Sequence, residues 1–140
     1  MNNTKRTAAG RSGSRRRFTQ GNAIADGKRG WFVGQFVTED GGLRRQQDYE
    51  MKWGIHPKGE RKTGRWAVNK VSTTLSMLLE GEFIIWLRVN GKVREVRLKK
   101  RGDYVIWGAG VAHSWEAPED CIILTVRCPS VAGDQVAGWE

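Results

Sequence analysis

Metal ligands and disulfide partners are scarce in this chain. It has two cysteines and two histidines in 140 residues. Cys121 and Cys128 are seven positions apart, on one apparent strand and just beyond its end. An odd separation places them on opposite faces, so they do not bridge each other. No Cys-x-x-Cys unit suggests zinc, and the default reading is small buried hydrophobes. No apolar run is long enough to cross a bilayer, the longest lying around Ile122–Val126. The basic N-terminus is not followed by an apolar h-region, so no secretory signal is visible. Gly10, Gly13 and Gly21 argue against an amphipathic transit helix. A soluble cytoplasmic protein is the expectation. No helical stripe and no internal repeat are found.

Acidic residues are nearly absent from one end. Residues 1–30 hold eight Lys and Arg against Asp26 alone, which is +7 of the chain's +9 and leaves +2 for the rest. This stretch has few large apolar residues and cannot offset the entropy of ordering, so 1–30 reads as a disordered basic tail. Arg15-Arg16-Arg17 would bind phosphates by charge without reading sequence. A solvated leader is the plainer reading, because no aromatic or helical element accompanies the run. The remainder divides into a β domain over 31–130 and an extension over 131–140.

The β domain is rich in branched and aromatic residues. Expected strands are Trp31–Val37, Tyr49–His56, Thr73–Leu79, Glu82–Val89, Lys92–Leu98, Tyr104–Trp107, Ala112–Glu116 and Cys121–Arg127. Asn90-Gly91 is a hairpin signal, since both central positions of a type I′ turn need positive φ. Thr38–Gly42, Glu80-Gly81, Arg101–Asp103 and Pro118–Asp120 mark other turns. Lys92–Leu98 reads as a strand at an edge, and Glu82–Val89, apolar on both faces, as a central one. Many short strands at this spacing imply a sandwich or barrel.

The stretch Gly102–Ala117, with His113 near its end, resembles the second motif of the cupins, G-x5-P-x-G-x2-H-x3-N. Gly102, Gly110 and His113 are in register. Gly108 stands at the proline position and Ala117 at the asparagine position. Gly81 matches the closing glycine of the first motif, G-x5-H-x-H-x3,4-E-x6-G. The resemblance covers roughly Tyr49–Pro129. It implies an all-β, cupin-type jelly-roll β-barrel and a divalent transition metal held by two histidines and a glutamate of the first motif with the histidine of the second. Here Thr74 occupies the glutamate position. None of Ala67, Val68, Asn69 and Lys70, near the histidine positions, is a histidine. Only His113 remains of the four. Any metal set would have to draw on His113, His56 and a carboxylate such as Glu50 or Glu60, and metal binding is not the favoured expectation.

Strand alternation turns His113 and Trp115 toward the interior, with Thr74 and Ser76 on a facing strand. His56 and Trp86 complete the expected site. Trp66 is placed over the mouth, and Trp53, Trp86 and Trp107 in the core. Hydroxyls, imidazole and indole around a cavity suit a small polar or anionic molecule. Three functional readings follow. The first is a small-molecule-binding cupin-like domain without a complete metal site and with no cofactor. The second is a metal-dependent cupin enzyme (isomerase, lyase or oxygenase) with a reduced ligand set. The third is a protein that holds nucleic acid weakly through its basic tail, aided by Arg61–Trp66. For acid–base chemistry His113 would need a partner, and His56 or Tyr104 are the candidates. In the plainest reading His113 is a buried histidine satisfied by a neighbour such as Thr74 or Ser76. The family resemblance and the Trp31–Val37 strand are compatible with a homodimer, and nothing suggests a membrane.

Overall fold

In a computed structural model, residues 17–38, 42–63 and 66–138 are described. The Arg15–Arg17 run (but for Arg17), the centre of the Thr38–Gly42 turn, Arg65 and Trp139 lie outside them. Among the described residues, ten strands form two antiparallel sheets of five. They are β1 (Trp31–Val33), β2 (Glu50–His56), β3 (Ala67–Asn69), β4 (Thr73–Glu80), β5 (Phe83–Val89), β6 (Lys92–Leu98), β7 (Tyr104–Trp107), β8 (Ala112–Glu116), β9 (Cys121–Cys128) and β10 (Gln135–Ala137). One sheet has the order β1-β2-β9-β4-β7, the other β10-β3-β8-β5-β6. Successive strands from β6 onward switch sheets, which makes the layered jelly-roll expected from the sequence.

Local chemistry explains the elements. Asn90 and Gly91 have φ of 51° and 77°, and Val89 pairs with Lys92 across that two-residue turn. β6 lies at an edge, and β5 lies between β8 and β6. The Gly102-Asp103 turn is held by the Asp103 carboxylate, which accepts from the Lys99 and Lys100 backbone N–H groups at 3.0 and 2.9 Å. The core lies between the sheets and includes Leu78, Phe83, Ile85, Leu87, Leu98, Trp107, Ala117, Cys121 and Ile123. Cys121 is buried and Cys128 exposed, and both are free thiols.

Four readings change. β1 ends at Val33, because the Gly34 N–H donates to the Arg44 carbonyl (2.9 Å) and the Gly34 carbonyl accepts from Gln46 (3.2 Å) and Val37 (3.3 Å), turning the chain away. β3 and β10, three residues each, were unexpected, and β10 lies in the 131–140 extension and pairs with β3. Residues 22–30, expected as the end of the tail, carry local structure. Asn22 caps a one-turn helix, α1 (Ala23–Asp26), by accepting from Ile24 and Ala25 N–H at 3.0 Å each. The Gly30 carbonyl accepts from Trp53 N–H at 2.9 Å. Trp53 and Trp86 are half-buried on the outer faces of their sheets and lie outside the core.

Asp134 fastens the extension. Its carboxylate accepts from Asn69 Nδ2 (3.0 Å) and from the Val71 and Ser72 N–H groups (2.7 and 3.2 Å). Burial pushes its pKa up, but these bonds more than compensate and hold it below the ordinary carboxylate value. Asp134→Ala leaves three donors unmatched. It should cost about 2–4 kcal/mol in urea unfolding, since charge-assisted bonds are worth about 1.5–3 kcal/mol each. A loss under about 0.5 kcal/mol would show that water replaces the carboxylate.

The outer face of the first sheet is apolar from side to side. Register places Ile106, Leu75, Val126 and Met51 in one cross-strand row. Tyr104, Met77, Leu124 and Trp53 form the next. The inner face of the same strands carries the site. Among the described residues no helix is long and apolar enough to cross a membrane.

Candidate functional site

A cavity of about 470 Å³ opens between the sheets. Its floor is aromatic and aliphatic, with Phe83, Ile85, Trp107, Trp115 and Ile123. Thr74 and Ser76 of β4, Thr125 of β9 and His113 of β8 add polar groups. Arg29, Lys52, Lys62 and Arg127 also line it, and among the described residues no carboxylate does.

Strand alternation explains most of this. On β9, Ile123, Thr125 and Arg127 share the inner face, and on β2 Lys52, Gly54 and His56 do. A Cβ at Gly54 would lie 2.8 Å from His56 Nε2, so the absent side chain makes room for the imidazole. After β2 the chain turns at Pro57–Gly59 and runs along β8. There Ala117 N–H donates to the Glu60 carbonyl (2.8 Å), and Lys62 N–H to the Trp115 carbonyl (3.0 Å). That strap sets Glu60 beside His56 (Nδ1 to Oε1, 2.8 Å) and Lys62 at the mouth.

The two histidines occupy separate settings. His56 packs on Trp115 with ring centroids 4.6 Å apart and on Phe83 at 5.4 Å. Burial lowers its pKa, and the Glu60 hydrogen bond opposes the shift only in part. His113 packs on Trp107 at 4.9 Å. Its Nδ1 is buried without a hydrogen-bond partner of good geometry, as is Thr74 Oγ1. Neither Thr74 nor Ser76, the neighbours named as examples in the plainest reading, bonds to it. Burial is the chief cause that brings the His113 pKa down to about 4. The adjacent Val111 backbone pulls the other way, and the charges of Arg127 and Lys62 reinforce the shift.

The cations interact through Trp31. The Arg127 guanidinium lies 4.7 Å and Lys52 Nζ 5.7 Å from its ring centroid. Arg127 also donates to Glu50 Oε2 (3.2 Å) and Gln135 Oε1 (2.6 Å). Glu50 accepts in turn from Ser130 Oγ at 2.7 Å, which directs it away from the cavity lining. Burial, then the neighbouring Arg127 charge, lowers the pKa of both Lys52 and Lys62.

Of the expected site, His113, Trp115, Thr74, Ser76 and His56 line one cavity. Trp86 does not. Phe83 and Ile85 point inward, so alternation sends Trp86 to the outer face. Tyr104 is 60% exposed on the outer face of β7 and is no partner for His113. Trp66 packs against Arg88, 4.3 Å from ring centroid to guanidinium carbon, and does not cover the mouth. Sequence reasoning missed Trp31, Lys62, Arg29 and Arg127. The alternation of β9 carried a signal for Arg127, because Ile123 is buried and Arg127 shares its face.

The metal that the fold family implies does not fit this donor set. Thr74 stands where the resemblance expects a carboxylate. Asn69, near the missing histidines, donates to Asp134. Among the described residues no three His, Cys, Asp or Glu side chains come together. A structural or catalytic site ordinarily takes three or more protein ligands.

Known structures agree with the architecture. An uncharacterised conserved protein with a double-stranded β-helix domain from Klebsiella pneumoniae is 22% identical, with a TM-score of 0.54 over 68% of this chain and 78% of that one. KdgF from Halomonas is 17% identical, with a TM-score of 0.52 over 62% and 74%. A cupin superfamily protein from Desulfitobacterium hafniense is 15% identical, with a TM-score of 0.51 over 61% and 71%. No protein-family model matches the chain, and no curated protein does. The fold is that of the cupins, and identities this low speak to the fold alone.

Proposed function

We propose that the cavity binds a small organic anion, with its acidic group among Lys52, Lys62 and Arg127 and its uncharged body over the indoles of Trp107 and Trp115. One observation carries this reading. Four basic residues line the cavity and, among the described residues, no acid does. Like charges gathered on low-dielectric walls focus a positive potential into the cleft. The lowered pKa values of Lys52 and Lys62 reflect burial first and then repulsion from Arg127, and an entering anion relieves the second. The volume lies in the usual range for small-ligand sites, about 300–1,000 Å³. The domain is therefore read as a binding module, with no reaction assigned.

Tryptophan fluorescence provides the test, because Trp31, Trp107 and Trp115 all line the site. Titration with simple carboxylic acids and phosphate esters should give saturable quenching that weakens with salt. Lys52→Gln and Lys62→Gln should each weaken it about tenfold, a loss of about 1.4 kcal/mol. The amide of the best acid should bind far more weakly. Equal affinity for acid and amide, or no change in either variant, would refute the reading. Orphaned Glu50 makes Arg127→Gln a poorer probe, so the lysines are preferred.

A further inference from the structure

We infer that the cavity selects hydroxy acids, and that His56, set by Glu60, is the residue that recognises the hydroxyl group. The inference rests on the anion-binding reading above and adds what the uncharged body of the ligand must carry.

Glu60 decides how the His56 ring is protonated. A carboxylate only accepts hydrogen bonds, so Nδ1, 2.8 Å from Glu60 Oε1, carries the proton. Burial is the chief cause that lowers the His56 pKa, so near neutral pH the ring holds no second proton. Nε2 is then a lone-pair acceptor with nothing to donate. Among the described residues no hydrogen bond engages it. Gly54 keeps the space beside it open, since a Cβ there would stand 2.8 Å from Nε2. His56 is also common to the walls of two cavities. It lines the 470 Å³ site and, with Arg29, Lys52 and Trp115, a second cavity of about 390 Å³.

An acceptor of this kind discriminates between ligands by what they can donate. Among the basic residues of the lining, an ammonium group is repelled. A ketone or aldehyde oxygen only accepts, and it would leave the lone pair of Nε2 unpaired. A hydroxyl group donates and stays uncharged. Sites built to hydrogen-bond a hydroxyl reject analogues that lack it steeply, because the buried partner is then left unmet. Trp115 and Phe83, with ring centroids 4.6 and 5.4 Å from that of His56, give apolar contact to the carbon that bears the hydroxyl.

Two elements tie His56 to the anion site. β2 carries Lys52 and His56 on the same inner face, and the Lys52 charge is felt at the imidazole, where it adds a lesser lowering to that of burial. The strap after β2 carries both Glu60 and Lys62, and its backbone bonds to Ala117 and Trp115 of the β8 segment fix the two together. The acid and the hydroxyl of one small molecule are thereby met by neighbouring side chains.

Tryptophan fluorescence of the full chain, titrated with butyrate, its 2-, 3- and 4-hydroxy derivatives and the matching oxo acids, tests the inference. At least one hydroxy acid should bind about tenfold or more tightly than both butyrate and its own oxo counterpart. His56→Phe keeps a ring without the acceptor and should bring the three to near-equal affinity. Glu60→Gln leaves the imidazole in place but can hold either tautomer, so it should narrow the gap between hydroxy and oxo acid even if His56→Phe does not fold. Both ligands carry the same charge, so their ratio is insensitive to the charge that Glu60→Gln removes. Lys62→Gln should weaken all the acids alike and keep the ratios. Equal binding of butyrate and every hydroxy acid in the wild type overturns the inference and leaves the anion reading standing. A preference that survives unchanged in Glu60→Gln or in folded His56→Phe overturns it too. If none of the acids binds, the anion reading falls and this inference falls with it.

Discussion

Gly81→Ala should cost about 2–5 kcal/mol in urea unfolding, and Gly81→Val should abolish the native state. Gly81 joins β4 to β5 and so carries the chain from one sheet to the other. Its φ is 88°, in the left-handed region that costs an L-residue about 1–2 kcal/mol. Space is the second constraint. A Cβ would run into the Asp120 carbonyl oxygen and lie 2.8 Å from Cys121 Cα. Both are backbone atoms at the start of β9, a strand held on both sides by β2 and β4. The obstacle cannot rotate away as a side-chain tip would, so overpacking adds about 1–3 kcal/mol. The neighbouring bulge, where register shifts between Leu78 and Glu80, has no slack to absorb the motion, because Leu78 is fully buried. Gly91, whose Cβ would meet nothing within 4 Å, is the control. Gly91→Ala should cost only the φ term. If both glycines gave the same loss, the close approach to Asp120 would not be the cause. The requirement for glycine at position 81 is thus explained by backbone packing, with no reference to a ligand.

The elements legible in the sequence are those whose cause is local. β6, β7 and β8 occupy the expected spans, because Asn90-Gly91, Gly102-Asp103 and the loop through Gly110 bound them chemically. β3 and β10 were hidden, since three residues such as Ala67-Val68-Asn69 are too short for a period to emerge. They form because β8 and β3 offer unpaired edges nearby. The site divides the same way. His113, Trp115, Thr74 and Ser76 follow from alternation once one residue is placed. Trp86 was misplaced because β5 is apolar on both faces, so composition could not say which face looks inward. Lys62 depends on the strap over β8, and the meeting of Lys52, Arg127 and Trp31 depends on the sheet order. Neither is a property of a sequence window. The cationic character of the cavity is therefore a tertiary fact, although the chain's basic residues are visible from the start.

The protein should also lose stability as pH falls from about 6.5 to about 4, and His113 should be the main cause. The sign follows from linkage. Folded His113 has its pKa lowered to about 4, chiefly by burial, while in the unfolded chain it titrates near 6.5. Between those values the unfolded state binds a proton that the folded state refuses, so stability rises with pH in this window. The contribution is complete above about pH 6.5 and is lost as pH descends toward 4. The span of about 2.5 pH units corresponds to on the order of 3 kcal/mol at about 1.4 kcal/mol per unit. His56, also lowered by burial, adds a smaller term of the same sign, moderated by Glu60. Asp134 acts lower, because its hydrogen bonds hold its pKa below the ordinary carboxylate value. Urea unfolding at about pH 7 and about pH 4.5 should therefore differ by roughly 2–3 kcal/mol in the wild type. His113→Gln, which cannot take up a proton, should remove most of that difference whatever it does to stability at neutral pH. The imidazole signal of His113 should stay in its neutral position down to near pH 4 in a nuclear magnetic resonance titration. An unchanged acid slope in His113→Gln would transfer the effect to His56 or to the carboxylates. A His113 signal titrating near 6.5 would mean that solvent reaches the ring, and the cavity would then be wetter and wider than its aromatic walls indicate.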